Sequence, residues 1–139
     1  MWIDKRLQVS TLQALSGAGA APSADVIDLG SLRLIGPGEP MWWVIAARVG
    51  LAGTVPTLDI AVQTDDNSAF SSPAALLSYP QLAAAGFTVG TRLVIPMTFT
   101  NERFLRLLYT LAGTTPSATV DAWLTNQDPT AWSAQADAI

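Results

Sequence analysis

The sequence predicts an all-β domain, and three observations carry that expectation. Short apolar runs alternate with polar residues at period two, the pattern of half-buried strands. Clusters of Gly, Pro, Asn, Asp and Thr separate these runs at short intervals. No segment sustains an uninterrupted helical stripe. Strands spaced this closely favour a sandwich or barrel over alternating β and α units, and a closed or doubled sheet is the usual remedy for exposed strand edges.

Taken in order, residues 1–25 read as an N-terminal arm, because 7-LQVSTLQALSGAGAAPSA-24 is apolar early and then rich in Ala, Gly, Ser and Pro. A short strand follows over 26–29, and 36-GPGEP-40 is turn chemistry. The next strand covers 42–49 and is closed by the turn residues 53-GTVP-56. In 58-LDIAVQT-64 the residues Leu58, Ile60 and Val62 alternate with Asp59, Ala61 and Gln63, so one face is apolar. The segment 74-AALLSYPQLAAAG-86 has helix formers, but Pro80 limits it to a short helical turn. Strands are expected again over 92–96, 104–111 and 119–124, with Asn101-Glu102 at a hairpin tip and 113-GTTPS-117 as a turn. Residues 125–139 form a C-terminal tail, and no internal repeat is evident. At 139 residues the chain is one domain, with 26–124 as the β-sandwich between the two arms.

Composition narrows the function. Hydrophobic residues make up 50% and charged residues 13%, about half the usual charged share. So few charges cover a surface poorly, which points to part of it being buried against other protein. The net charge is −4 and the seven basic residues are scattered, so neither nucleic acid nor anionic lipid is an expected partner. There is no Cys and no His, which removes thiolate and Ser-His chemistry and the usual zinc sites. The apolar run 41-MWWVIAARVGLAG-53 is broken by Arg48 and is too short to span a bilayer. The start lacks the layout of a secretory signal, so the expectation is a soluble protein made in the cytoplasm.

The acidic pair Asp65-Asp66 is the most obvious candidate for chemistry. Neighbouring strand carboxylates point apart, whereas an acid-base pair needs them converging across a substrate. A calcium loop requires ligands at alternate positions, a central Gly and a closing Glu; here Ala69, Phe70 and Leu76 occupy the decisive places. The simpler reading is that Asp65, Asn67 and Ser68 bond their own backbone and end the strand, while Phe70 folds back on the core. Asp25 and Asp28 flank a short strand, where solvation or a salt bridge to Arg33 is ordinary. The run 17-GAGAAP-22 lacks the Lys, Ser/Thr and third Gly of nucleotide-binding loops. No catalytic, cofactor or metal residue is assigned.

The aromatic residues point elsewhere. Trp42 and Trp43 are adjacent in a strand, so one fills the core while the other meets solvent or a neighbour. In 103-RFLRLLYTL-111 both faces are partly apolar, as in a strand covered on both sides or lying at an interface. Aromatic and Arg enrichment in interface cores gives the contact candidates Trp2, Leu7, Trp42, Trp43, Arg48, Arg106 and Trp132.

The runs 26-VIDLG-30, 38-GEP-40, 60-IAVQTDDNSAFSSP-73 and 101-NERFLRLLYTLAGT-114 resemble, in order and separation, the capsid cement proteins of certain short-tailed bacteriophages. The opening Asp4-Lys5 and closing Asp137-Ala138-Ile139 extend the resemblance over nearly the whole chain. It implies a jelly-roll fold and a homotrimer seated on the outer head surface, where it bridges neighbouring major capsid subunits against the pressure of packaged DNA. It implies no catalytic residues, no cofactor and no small-molecule substrate. The expected role is therefore a cement protein of the virion. Its rivals are a carbohydrate- or receptor-binding β-sandwich, a tail or neck component, and an acid-dependent hydrolase using Asp65, Asp66 or Glu102.

Overall fold

The structure is a computed structural model that describes residues 4–30, 40–98, 100 and 102–127. Among these there is no α-helix, only two single-turn 3-10 segments, Lys5–Leu7 and Ala84–Gly86. The chain is all-β, as its alternation requires. Its strands are β1 (Gln8–Ser16), β2 (Gly19–Pro22), β3 (Ile27–Asp28), β4 (Trp42–Asp65), β5 (Ala74–Ala83), β6 (Arg92–Pro96) and β7 (Phe104–Thr125).

The two long strands set the architecture. β4 and β7 run antiparallel over their whole lengths, from Trp42 opposite Thr125 to Asp65 opposite Phe104. Straight, the 24 residues of β4 would reach about 80 Å. A compact domain of this length has a radius of gyration of only about 14 Å. Both strands must therefore bend, and the register shifts between Ala47 and Thr57 mark where they do. On one side of the bend, residues 42–46 and 117–125 lie between β6 and β1; on the other, residues 57–65 and 104–112 lie between β5 and the pair β2 and β3. Each half thus holds the sheet order β6-β4-β7-β1 or β5-β4-β7-β2/β3. All pairings are antiparallel, and the arrangement is compatible with a jelly roll.

The bend is built from a repeat. Residues 51-LAGTVPT-57 and 111-LAGTTPS-117 share five of seven identities and face each other across the β4–β7 ladder. Within them Val55 and Thr115 are left-handed at φ 48°, and Gly53 and Gly113 take φ 131° and 109°. A Cβ on Gly113 would stand 2.7 Å from the Val55 carbonyl oxygen, and one on Gly53 would stand 2.9 Å from that of Thr114. Only glycine lets the strands approach so closely. The expectation of no internal repeat is corrected here. The two Gly-Thr-x-Pro stretches are strand corners, not the loops that Gly and Pro suggested.

Folding over brings both halves onto one core. Trp43, Ile45 and Ala47 from one half share a cluster with Leu58, Ile60 and Val62 from the other, joined by Leu105, Leu107, Tyr109 and Leu111 of β7. The Tyr109 hydroxyl lies 2.8 Å from the Ser10 hydroxyl of β1, and Ser10 in turn donates to Gln13 Oε1 at 2.7 Å. This buried polar link crosses between the halves, with burial raising the Tyr109 pKa.

Three further expectations are corrected. Residues 8–22 are not a loose arm but β1 and β2, paired with β7. Residues 74–83 are an edge strand, not a helical turn; Pro is tolerated at a sheet edge, where one side of the strand needs no donors. Glu102 is not at a hairpin tip: β6 and β7 do not pair with each other, so it lies on a crossover between the halves. Asn101, Arg33 and the tail from 128 onward lie outside the described residues.

Two edge strands, β1 and β5, carry the same device. Leu12 in β1 and Gln81 in β5 are left-handed, and each donates its amide to a carboxylate on the adjacent inner strand, Asp121 and Asp59 respectively, at 2.6 Å. These carboxylates hold the bulges that twist the edges.

Candidate interaction face

The acidic turn proves to be backbone chemistry. Asp65 is buried, and its two carboxylate oxygens accept the amides of Asn67 at 3.0 Å and Ser72 at 2.8 Å. The Ser72 amide, then that of Asn67, holds its carboxyl below the usual range. Asn67 accepts the Ala69 amide on its side chain and the Phe70 amide on its carbonyl, and Phe70 packs down with the Arg106 guanidinium 4.1 Å from its ring centre. Asp65 thus ends β4 with both carboxylate oxygens engaged by backbone amides of its own turn. Among the described residues no group of three His, Cys, Asp or Glu side chains could hold a metal.

Asp28 is equally structural. It accepts two bonds from Arg103, at 2.7 and 2.9 Å, and the Gly30 amide at 2.8 Å. Arg103 first, then the Gly30 amide, lowers its carboxyl to about 2. Its partner is thus Arg103, which clips β3 to the start of β7, whereas Arg33 lies outside the described residues.

The surface features that gather in one place lie on the outer face of the β6-β4-β7-β1 half. Strand alternation sends Ile45 and Ala47 into the core and leaves Trp42, Val44 and Ala46 on the opposite face. Their neighbours in register are Pro96 and Thr125 beside Trp42, Val94 and Trp123 beside Val44, and Arg92 and Asp121 beside Ala46. An apolar band therefore crosses three strands and is bordered by charge. Val44 and Trp123 are buried although neither belongs to the main core. Trp123, 4% exposed, has no acceptor for its indole N–H among the described residues.

Next to this band the small side chain of Ala46, between Arg92 and Asp121, leaves a depression. It is a cavity of ≈320 Å³ walled by Arg48, Arg92, Asp121, Trp123, Val89 and Gly90. Arg48 donates to Asp121 at 3.1 Å, and Arg92 has no ion pair among the described residues. A second cavity of ≈440 Å³ adjoins it through Arg48 and Val89, and is lined chiefly by apolar groups including Val49, Leu51, Ala84 and Phe87. At its rim Val49 and Val89 are 56% and 73% exposed.

The contact candidates distribute unevenly over this geometry. Trp42 and Arg48 fall on the face. Trp43 is fully buried with its indole N–H on the Met97 sulfur at 3.1 Å, so the expectation of a contact role is corrected to a core role: the inward alternation of residue 43 leaves it no surface. Arg106 lies on the other half, bonded to Gln63 at 2.8 Å and stacked on Phe70. Leu7 ends the first 3-10 turn, half-buried against the core. Trp2 and Trp132 lie outside the described residues. Arg92, Asp121 and Trp123 were missed. Alternation over 119–124 already places Asp121 and Trp123 opposite the inward Val120, Ala122 and Leu124, so two of the three were legible.

A family model described as Bbp16 matches residues 9–124. Among curated proteins none matches the chain.

Proposed function

Because the chain belongs to the phage-related Bbp16 family, we propose that it is a structural protein of the virion, and specifically a cement protein of the head. In this reading it forms trimers on the outer surface and clamps neighbouring major capsid subunits against internal pressure. The observation that carries the reading is the outer face of the β6-β4-β7-β1 half. It joins Trp42, Val94 and Pro96 to Arg48 and Arg92, the residue types enriched where proteins meet. A cement protein acts in many copies, so individually modest contacts sum to firm attachment. The low charge of the chain has the same explanation, since a surface covered by protein needs few solvating groups.

The test compares heads assembled with and without the chain. Heads lacking it are expected to assemble and then to rupture at a lower temperature or on chelation, and purified chain added back should restore their survival. Equal survival with and without the chain would overturn the proposal.

A further inference from the structure

The free edges of the sheet are not alike. β1 is bulged at left-handed Leu12 and β5 at left-handed Gln81, each held by an aspartate. The edge made by β2 and β3 is interrupted. There the Gln13 side chain donates to the Pro22 carbonyl and accepts the Ala24 amide, both at 2.9 Å. Such devices keep foreign strands away. β6 has none of them. It runs from Arg92 to Pro96 beside β4 without a register shift, and its other side pairs with no strand among the described residues.

Hydrogen-bond parity identifies what that side offers. The Met97 amide donates to the Met41 carbonyl and the Ala47 amide to that of Thr91, so residues 91, 93, 95 and 97 face β4. Arg92 and Val94 therefore turn their N–H and C=O groups away from it, together with the Pro96 carbonyl. On the inner face Leu93, Ile95 and Met97 belong to the core yet keep 9%, 6% and 8% exposure, whereas Trp43 and Ile45 beside them on β4 keep none. The core is incompletely closed along this edge. An added strand would bond the free backbone groups and cover the apolar row at once.

We infer that β6 is a strand-addition edge that receives an extended segment of a major capsid subunit. This rests on the proposed cement function, and it names the part of the partner that is held. Alternation prescribes the segment: apolar side chains on the side of Leu93 and Ile95, and an acid on the opposite side next to Arg92. Arg92 is exposed and has no ion pair among the described residues, so that acid sets the register. A second copy fits less well. Pairing β6 with itself about Val94 would set Pro96, which has no N–H, opposite each Arg92, and β6 holds no acid to meet that guanidinium. Pro96 is in register with Trp42, so a partner on the edge also reaches the Trp42 face.

Hydrogen exchange read by mass spectrometry tests this on the free chain and on the chain bound to heads that lack it. In the free chain the Arg92 and Val94 amides should exchange fast, while those of Leu93 and Ile95, bonded to β4, should be slow. On heads the Arg92 and Val94 amides should slow at least about tenfold. Val94→Pro deletes an outward N–H that β4 does not use. It should fold with a thermal midpoint near that of wild type and bind heads at least about tenfold more weakly. Val94→Ala, which loses more of the side chain but keeps the N–H, should retain most of the binding. Unchanged exchange at Arg92 and Val94 on heads, or a folded Val94→Pro protein that binds normally, would overturn strand addition and leave the cement role standing. Slow exchange of both amides in the free chain, lost on dilution, would assign the edge to a second copy and overturn it as well. Wild type that fails to bind heads refutes the cement role and the capsid strand together.

Discussion

Replacing Gly113 by Ala strikes the bend on which the fold depends. The new Cβ would lie 2.7 Å from the Val55 carbonyl oxygen, 2.9 Å from that of Thr54 and 3.0 Å from the Pro56 Cα, all backbone atoms that cannot rotate away. Two effects add. Holding a non-glycine residue at φ 109° costs about 1–3 kcal/mol, and forcing an extra methyl into packed backbone costs about 1–3 kcal/mol more. The expected loss is therefore about 2–6 kcal/mol, a large share of the roughly 7–20 kcal/mol typical for a chain of this length. In a calorimeter it should lower the midpoint by about 6–20 °C. Gly17→Ala separates the terms, since Gly17 has φ 81° but nothing within 4 Å of a Cβ, leaving backbone strain alone. Gly86→Ala meets only the Leu82 side chain at 3.8 Å at ordinary φ and should stay within about 0.5 kcal/mol of wild type. A Gly113→Ala protein no less stable than Gly17→Ala would refute the close-packed corner.

Other outcomes follow from named contacts. Tyr109→Phe removes the hydroxyl that bonds buried Ser10 and should cost about 1–2 kcal/mol in urea unfolding; an unchanged midpoint would show that the link between the halves is idle. Asp28 has its carboxyl lowered to about 2 from an ordinary 3.8, so the stability that it contributes is complete above about pH 4 and vanishes as pH falls through 2. Asp28→Asn should accordingly melt below wild type at pH 6 and match it near pH 2; a constant gap would contradict the Arg103 clip. Asp59→Ala frees the Gln81 amide, which should exchange with deuterium faster than in wild type while core amides of β7 do not change. Trp42→Ala should weaken binding to heads lacking the chain at least about tenfold, with little change in melting temperature; undiminished binding would remove the Trp42 face from the contact.

Strands that alternate cleanly were legible. The runs 58–64, 92–96, 104–111 and 119–124 appear where the period-two pattern put them, because each has one face on the core and one outside. β1 was not legible, and its burial explains why. Val9 and Ser10 are both buried in succession, a left-handed Leu12 follows, and two register shifts interrupt the pairing with β7. Such a strand has no period to read. β5 carries the helix-forming Ala and Leu together with a Pro, and its pairing with β4 overrides that local preference. At the corner, the Gly and Pro residues were read as loops because each stretch was judged alone. Only the pairing of 51–57 with 111–117 reveals one bend made twice. The candidate site divides the same way. The outward direction of Trp42 follows from alternation, but the cavity over Ala46 needs three strands side by side, which no single stretch of sequence displays.

The central claim is that this chain acts as an adhesive layer on the outside of a viral head. An electron cryomicroscopy reconstruction of the particle that contains the chain tests this most directly. The expected result is β-sandwich density on the outer surface at junctions between capsid subunits, with the Trp42 face against protein. Density confined to the tail or the interior, or a fully occupied shell without this chain on its surface, would contradict it.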